Sequence, residues 1–261
     1  KEAFDHENPY EIGQSGLLGN PATALALEGC DLLLMVGTDF PYTEFYPSDT
    51  VVVQIDAVGE HIGRRHPVDH AVVGDAAAAL TALLPLLDAH TDTSLLDDAR
   101  SAYASWQERQ ARLTDPDYER KPRGLLRRHL DNPDDRVRPE LLAAASDRHA
   151  TSDAIFTSDT GMATTWLARF VRMTGERRLL GSFNLGSMAN AMPQALGAQA
   201  LDRERQVVAF CGDGGLTMLL GDLGAEIIKP ENPFVFQPMT RGAMARPPQK
   251  KCASLRASPI T

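Results

Sequence analysis

The chain has 261 residues with a formal net charge of −9 at pH 7, and 43% of its side chains are hydrophobic. An acidic chain is not expected to act mainly on nucleic acid, since proteins that bind nucleic acid carry basic patches. The length accommodates two α/β domains, and no apolar run is long enough to span a membrane. Three cysteines (Cys30, Cys211 and Cys252) without metal-site spacing, and the absence of a signal peptide, predict a reduced protein in the cytoplasm.

Apolar runs alternate with helical segments in the first part of the chain, which begins with a glycine-rich loop. Asn20 is a candidate N-cap for a helix whose first position is Pro21. The elements predicted here are, in order, a helix over residues 21–30, strands over residues 32–36, 51–55 and 71–73, a helix to about residue 87 and a helix over residues 94–113. Continuous apolar strands between helices predict a parallel sheet with both faces covered.

The second part of the chain repeats this alternation after a charged segment. Residues 114–138 contain prolines and no regular apolar period, so we interpret them as an interdomain linker with one short helical piece over residues 125–130. The elements predicted beyond the linker are helices over residues 139–149, 162–170 and 188–201, strands over residues 154–157, 178–180 and 207–211, and a helix that begins near residue 216. The predicted fold is α/β, with two doubly wound domains built on parallel sheets.

In the first domain, polar residues follow the predicted strands. Ligands of open parallel sheets bind at the carboxyl ends of the strands, which here carry residues 38–42 and Asp56. An acid at the end of the second strand is well placed to accept hydrogen bonds from ribose hydroxyls. The alternative is that Asp39 and Asp56 only cap their turns. Because the chain contains no Gly-x-Gly-x-x-Gly motif, a nicotinamide site of the usual kind is not indicated.

The turn after the last predicted strand is Gly212-Asp213-Gly214-Gly215. A strand, a tight glycine turn and a helix form a geometry that holds phosphate, because glycines let backbone N–H groups approach it closely. An aspartate in such a turn would repel a bare diphosphate, so it predicts a bridging Mg²⁺ ion. The alternative is an ordinary turn between strand and helix, which also favours glycine and aspartate. Two further strand ends carry polar turns with glycine, over residues 158–161 and 181–187, and this favours a shared ligand site.

Two long segments carry a family likeness. Residues 181–198 read Gly-Ser-Phe-Asn-Leu-Gly-Ser-Met-Ala-Asn-Ala-Met-Pro-Gln-Ala-Leu-Gly-Ala, and residues 206–215 read Gln-Val-Val-Ala-Phe-Cys-Gly-Asp-Gly-Gly. They resemble the diphosphate-binding domain of thiamine-diphosphate-dependent enzymes, in particular the branch of pyruvate oxidase and quinone-dependent pyruvate dehydrogenase. Gly-Thr-Asp-Phe-Pro-Tyr (37–42) and Val-Gln-Ile-Asp-Ala (53–57) are similar to the central, FAD-binding domain of that branch.

The resemblance divides the chain into four parts. These are a central FAD-binding-type domain (residues 1–113), the linker (114–138), a partial thiamine-diphosphate-binding domain (139–223) and a divergent basic tail (224–261). Asp213 would be the Mg²⁺ ligand, and Met188 would be the bulky residue that bends thiamine diphosphate into a V shape. The other positions that match this cofactor's site are Thr160, Gly161, Gly186, Ser187, Gly214 and Gly215. The positions that match the FAD site are Ser15, Gly16, Leu17, Leu18, Thr38, Asp39, Phe40, Pro41, Tyr42 and Asp56.

The resemblance also implies a reaction. In this family the carbanion of the cofactor attacks the 2-keto carbon of pyruvate and releases CO₂, and FAD then passes the electrons to quinone or oxygen. The full-length enzymes of this branch are homo-oligomers. The resemblance also implies that the full-length protein contacts the inner face of the membrane peripherally. An acetolactate synthase-like carboligase shares both domains and stays open, although Phe40-Pro41-Tyr42 and Phe45-Tyr46-Pro47 favour the oxidase branch. A flavin-binding fragment without catalytic activity is the non-enzymatic alternative.

Parts of the chain depart from the family pattern. The likeness is expected to stop near residue 223, and residues 224–261, with six basic residues, two glutamates and six prolines, predict a disordered tail without a strand. Asn232, the only asparagine there, lies between Glu231 and Pro233, an unsuitable context for a second Mg²⁺ contact. No residue is assigned a catalytic role, because the family's activating glutamate belongs to an N-terminal domain without a match here. We therefore expect a truncated form with little or no activity of its own.

Overall fold

The computed structural model describes residues 2–116 and 137–219, and the backbone of residues 234–236. It divides into two compact units. The first unit is Ile12–Glu108, and the second combines the segment up to Glu11 with the chain from Arg109 onward. Within the described residues, no helix has both the length and the apolar character that crossing a membrane requires. The short helix predicted over residues 125–130 lies outside the described residues.

A parallel sheet of three strands forms the centre of the first unit. Its elements are α1 (Pro21–Gly29), β1 (Leu32–Val36), β2 (Val51–Asp56), β3 (His70–Val73), α2 (Ala76–Leu83) and α3 (Ser94–Leu113), and α3 continues past Glu108 into the second unit. The strands lie in the order β1-β2-β3, and all neighbours are parallel. The predicted parallel α/β sheet is confirmed, but the expected burial of both faces is not: Leu32 and Leu34 of β1 are 51% and 37% exposed, and every residue of β3 is exposed.

Local chemistry sets the ends of two helices in this unit. The Asn20 side chain accepts hydrogen bonds from the backbone N–H groups of Ala22 and Thr23 and so caps α1, as predicted. The helix expected to reach residue 87 ends instead at Leu83 and continues as a 3₁₀ turn over Leu84–Leu86. Pro85 explains this difference, because proline has no N–H for the helical ladder and its ring clashes with the preceding turn.

The second unit contains a parallel sheet of four strands. Its elements are α4 (Pro139–His149), β4 (Ile155–Ser158), α5 (Met162–Phe170), β5 (Arg178–Gly181), α6 (Ala191–Leu201), β6 (Val207–Phe210), α7 (Asp213–Met218) and β7 (Phe234–Phe236). The strands lie in the order β5-β4-β6-β7, and every neighbouring pair is parallel. The crossing from β5 to β6 over β4 is typical of sheets whose connections are helices.

Helices cover both faces of this sheet, as the side chains of β6 show. Val208 and Phe210 belong to one buried cluster, which also holds residues of α4, β4 and α5. Ala209 and Cys211 belong to another, together with residues of α6. Because successive side chains of a strand point to opposite faces, the two clusters lie on the two sides of the sheet. The doubly wound arrangement predicted for this domain is therefore confirmed.

Two further predicted boundaries and one predicted absence were wrong. Helix α6 begins at Ala191 and not at residue 188, because Ala189 has a left-handed backbone with φ of 60° that a right-handed helix does not include. Helix α7 begins at Asp213 and not near residue 216, because the Leu216 N–H already bonds the Gly212 carbonyl oxygen. The tail was expected to hold no strand, yet β7 pairs with β6 in the sheet. The remaining residues of that tail lie outside the described residues.

Candidate functional site

The carboxyl ends of β5, β4 and β6 lie level with one another at one edge of the second sheet. Ser158, the last residue of β4, is in register with Gly181 of β5 and with Phe210 of β6. The turns that leave these three strands contain every position that the sequence analysis matched to thiamine diphosphate. The parallel register therefore brings residues from three separate parts of the chain to one place.

The turns after β4 and β5 are joined by hydrogen bonds. The Thr160 N–H donates to the Ser187 carbonyl oxygen at 3.4 Å, and the Thr160 hydroxyl donates to the Ser182 carbonyl oxygen at 3.3 Å. Within the second turn, the Gly186 N–H donates to Ser182 at 2.8 Å. Gly161 and Gly186 both have positive φ, at 132° and 65°, a backbone region that glycine enters without steric cost.

The turn after β5 also reaches the turn after β6. A Cβ built on Gly214 would lie 3.0 Å from Cε of Met188, whose side chain is 56% exposed. Asp213, Gly214 and Gly215 form the first turn of α7, where backbone N–H groups have no acceptor within the helix. The three strand-end turns therefore form one continuous cluster.

A buried carboxylate that the sequence analysis left without a role joins these turns. Asp159 is the first residue after β4 and is 2% exposed. Its Oδ1 accepts the Ala191 N–H at 2.9 Å, and its Oδ2 accepts the Gly212 N–H at 3.0 Å. The only signal in the sequence was its place in a polar turn directly after a strand, because its two partners are 32 and 53 residues away along the chain.

The thiol of Cys211 borders the same site from within the sheet. It is 1% exposed, at the end of β6. Burial, and to a smaller extent the negative charge of Asp159, raise the pKa of this thiol to about 12. The side chain therefore stays a neutral thiol at physiological pH and packs as a small apolar group.

The positions predicted for FAD lie in the first unit, and the structure brings two of their loops together. A Cβ built on Gly16 would lie 3.0 Å from the Phe40 ring and 3.1 Å from the Tyr42 ring, so residues 15–18 pack against residues 38–42. Gly16 has φ of 83° and occupies a backbone region suited to glycine. The Phe40 ring lies edge-on to Tyr42, Phe45 and Tyr46, with centroid distances of 5.5 to 6.4 Å.

The two acids at the strand ends of the first unit have different partners. Asp56 accepts the Val58 N–H at 2.9 Å, which is the turn-capping interaction considered as an alternative to ribose binding. Asp39 instead faces the guanidinium groups of Arg64 and Arg65. The hydrogen bond from Arg65, followed by that from Arg64, lowers the pKa of the Asp39 carboxyl to about 2. A capping role is thus visible for Asp56, and an ion pair for Asp39.

Two family models match separate segments of the chain. The model described as thiamine pyrophosphate enzyme, central domain, matches residues 1–83. The model described as thiamine pyrophosphate enzyme, C-terminal TPP binding domain, matches residues 159–233. The chain belongs to the thiamine-diphosphate enzyme family. The second match includes the turns after β4, β5 and β6, and it runs past residue 223, where the sequence analysis expected the family likeness to end.

The relatives of the chain include proteins named for thiamine pyrophosphate and for acetolactate synthase. The chain is 30% identical over 227 residues to the putative thiamine pyrophosphate-containing protein YdaP of Bacillus subtilis, which covers 85% of this chain and 36% of that protein. It is 32% identical over 235 residues to the acetolactate synthase large subunit of Parasynechococcus marenigrum, and this match covers 86% of the chain and 34% of that protein. It is 29% identical over 229 residues to the acetolactate synthase isozyme 2 large subunit of Escherichia coli, and this match covers 85% of the chain and 37% of that protein. The chain thus spans about a third of the length of these curated relatives.

The residues of the second unit fit the cofactor that gives the family its name. A Cβ built on Gly161 or Gly212 would have no heavy atom within 4 Å, so both glycines border open space that a ligand can approach. The Asp213 carboxylate offers the hard oxygen that Mg²⁺ prefers. Among residues 2–116 and 137–219, no group of three or more histidine, cysteine, aspartate or glutamate side chains is placed to hold a metal.

Proposed function

We propose that the second unit binds thiamine diphosphate through Mg²⁺, and that the protein uses this cofactor to decarboxylate a 2-keto acid, with pyruvate as the substrate. The observation that carries the proposal is the cluster of three strand-end turns, which contains all eight positions matched to the cofactor and lies within the segment matched by the TPP-binding model. Gly161 and Gly212 border open space in this cluster, and Asp213 would supply the carboxylate oxygen for the ion.

Each part of the cluster has a proposed task. Asp213 would supply one oxygen ligand to the ion, and the N–H groups of Gly214 and Gly215 would bind the diphosphate. Met188, whose Cε lies close to Gly214, would support the bent conformation of the cofactor that the family resemblance implies. The remaining positions, at the ends of β4 and β5, border the cofactor along its length: Thr160, Gly161, Gly186 and Ser187.

The chain contributes binding and orientation to the chemistry. When bound, thiamine diphosphate supplies a carbanion for the keto carbon of the substrate and accepts the electron pair left behind as CO₂ departs. The protein's own residues hold the diphosphate end and neutralise its charge through Mg²⁺. The buried sheet below the turns excludes water from one side of the site, since Phe210 and Cys211 are almost fully buried.

We further propose that the decarboxylation is oxidative, with FAD bound to the first unit and with quinone or oxygen as the electron acceptor. This is supported by the packing of residues 15–18 against residues 38–42 at the carboxyl edge of the first sheet. Decarboxylation of pyruvate leaves a two-carbon fragment, whose oxidation to the acid level releases two electrons that a flavin can take up. As in the resembling branch, we propose a cytoplasmic homo-oligomer with peripheral membrane contact for the whole protein.

Acetolactate synthesis is a second candidate, and the names of two relatives favour it. Both are acetolactate synthase large subunits, at 32% and 29% identity. A carboligase transfers the two-carbon fragment to a second 2-keto acid, so the reaction needs no electron acceptor. The two candidates therefore differ in product and in redox balance, while sharing the proposed site in the second unit.

A binding titration tests the proposal common to both candidates. The purified chain is titrated with thiamine diphosphate, once in excess MgCl₂ and once in EDTA. The Asp213→Asn variant is titrated in the same way in MgCl₂. We expect saturable binding that EDTA abolishes and that the substitution weakens at least tenfold, because the variant loses the negative charge that holds the ion. Binding that is the same with EDTA and in the variant would refute the proposed site.

A product assay separates the two candidate reactions. Because the chain itself is expected to have little or no activity, a full-length homologue is incubated with isotope-labelled pyruvate, thiamine diphosphate, Mg²⁺, FAD and a quinone analogue, and the products are separated by mass. Labelled acetate with stoichiometric reduction of the acceptor supports the oxidase, whereas labelled acetolactate without acceptor reduction supports the carboligase. Flavin absorbance that co-elutes with the protein in gel filtration supports the FAD site of the first unit, and its loss contradicts that site.

A further inference from the structure

Asp159 occupies the middle of the strand-end cluster. It follows β4, which lies between β5 and β6 in the sheet, and its backbone N–H donates to the Phe210 carbonyl oxygen of β6 at 2.9 Å. The hydroxyl of Thr164 donates to the Asp159 carbonyl oxygen at 2.7 Å, which joins the residue to the first turn of α5. The backbone of Asp159 is therefore fixed on two sides.

The side chain of Asp159 fixes two neighbouring turns. Its two carboxylate oxygens accept the N–H groups of Ala191, at the start of α6, and of Gly212, directly before Asp213. Hydrogen bonds from backbone amides to a buried carboxylate are charge-assisted and roughly twice as strong as neutral ones. One side chain thus links the start of α6 to the Gly212–Gly215 turn.

Gly215 packs directly against the same carboxylate. A Cβ built on Gly215 would overlap Oδ2 of Asp159 and would lie 3.1 Å from the Ala189 nitrogen. A glycine at this position is therefore a steric requirement for the contact between the turn and Asp159. The carboxylate is enclosed by the turn that is proposed to hold the diphosphate.

We propose that Asp159 is the positioning residue of the cofactor site, which holds the Gly212–Gly215 turn at the distance from α6 that the diphosphate and its ion require. The inference rests on the proposed function of that site. A carboxylate repels a diphosphate directly, so its contribution to binding comes from the two backbone segments that it fixes. Because both oxygens accept backbone N–H groups and the side chain is buried, Asp159 acts through those segments and does not contact the cofactor.

The test compares Asp159→Asn with Asp202→Asn, which removes the same charge from an exposed aspartate. Asp202 also accepts two backbone N–H groups, from Glu204 and Arg205, but it lies before β6, at the opposite end of that strand. For both variants and the wild type, the dissociation constants of thiamine diphosphate and thiamine monophosphate are measured in MgCl₂, at a temperature where thermal unfolding shows all three to be folded.

We expect Asp159→Asn to weaken thiamine diphosphate binding at least tenfold and to reduce the preference for the diphosphate over the monophosphate. The amide that replaces the carboxylate has one acceptor oxygen, so it cannot receive both N–H groups. A purely structural role would lower the unfolding temperature without changing this preference. Asp202→Asn is expected to retain wild-type affinities. If Asp159→Asn does not fold, Asp159→Ser, which removes the charge and cannot span both N–H groups, is measured in its place.

The outcomes separate the two proposals. Suppose that the wild-type chain binds thiamine diphosphate, that Asp213→Asn weakens this binding and that the Asp159 substitution leaves it unchanged. This result would overturn the positioning role and leave the proposed function intact. A wild-type chain that binds no thiamine diphosphate in MgCl₂ would overturn both. Equal loss of the diphosphate preference in Asp159→Asn and Asp202→Asn would also overturn the inference, because it would show a general effect of loosening the sheet.

Discussion

At the scale of single residues, Cys211 shows how burial controls reactivity. Its raised pKa of about 12 leaves almost no thiolate at pH 8.5, and thiolate is the reactive form. We expect iodoacetamide at this pH to leave Cys211 unmodified in the native protein while the half-buried Cys30 is labelled. Mass spectrometry of the peptides, with and without denaturant, measures this. Native-state labelling of Cys211 at the rate of Cys30 would contradict it.

Asp39 gives a second residue-scale prediction, which concerns pH. Its pKa of about 2 lies below the ordinary value of 3.8, so the ionised carboxylate is favoured in the folded state. Such a group adds stability that is complete above about pH 4 and is lost as the pH falls through 2. We expect Arg65→Gln to raise the Asp39 pKa more than Arg64→Gln, because the Arg65 hydrogen bond is its largest cause. Carboxyl ¹³C NMR titration measures both variants, and a larger effect of Arg64→Gln would contradict the ranking.

The residue scale is also where the sequence was least informative. The turns with Gly214 and Gly161 were predicted, because glycine patterns after apolar runs are local signals. The role of Asp159 was not, because its hydrogen bonds depend on which strands lie side by side. Asp56 shows the same limit, since one carboxylate at a strand end suits both a ribose hydroxyl and a turn, and only the structure shows the bond to Val58.

At the scale of elements, one carboxylate with two arginines connects α4 to the segment before β5. Asp147, in α4, accepts from Arg177 at 2.7 Å and from Arg172 at 3.0 Å. The Arg177 side chain is 7% exposed and lies 5.7 Å from the Phe156 ring centroid, whereas the Arg172 side chain is 67% exposed. Arg177 also donates to the carbonyl oxygens of Ala150 and Thr151 beyond the end of the helix.

The two arginines are expected to contribute unequally to stability. Removing one partner of a buried ion pair costs about 3–5 kcal/mol, and an exposed pair contributes about 0–1 kcal/mol. We therefore expect Arg177→Met to lower the free energy of unfolding by about 3 kcal/mol or more, and Arg172→Met to lower it by less than about 1 kcal/mol. Chemical denaturation of both variants measures this, and equal losses would show that burial does not distinguish the two pairs.

The elements themselves were largely readable from the sequence. The bounds of β1, α4 and α5 agree with the prediction, because continuous apolar runs and helical periodicity are strong signals. The start of α6 was missed by three residues, since the left-handed Ala189 and the bond from Ala191 to Asp159 are tertiary effects. Strand β7 was missed because a strand of three residues gives too short a pattern to identify alone.

At the scale of the whole molecule, the two units are expected to respond to different cofactors. A ligand at one hundred times its dissociation constant stabilises the unit that binds it by about 2.7 kcal/mol. We expect thiamine diphosphate with Mg²⁺ to slow hydrogen exchange in residues 158–161, 181–191 and 211–216, and FAD to slow it in residues 14–19 and 37–42. Hydrogen–deuterium exchange with mass spectrometry measures both, with MgCl₂ alone as the control. Thiamine diphosphate protection confined to the first unit would contradict the assignment of sites.

The hydrogen bond between Asp159 and Gly212 also constrains the order of events during folding. It closes a loop of 53 residues, which includes β5 and α6, and such long-range contacts form slowly because the chain must first lose the entropy of that loop. While a ribosome is still translating this loop, the Asp159 carboxylate lacks its Gly212 partner and is expected to stay hydrated. Competence to take up a cofactor is therefore expected to appear only late, after β6 has been released and has docked beside β4.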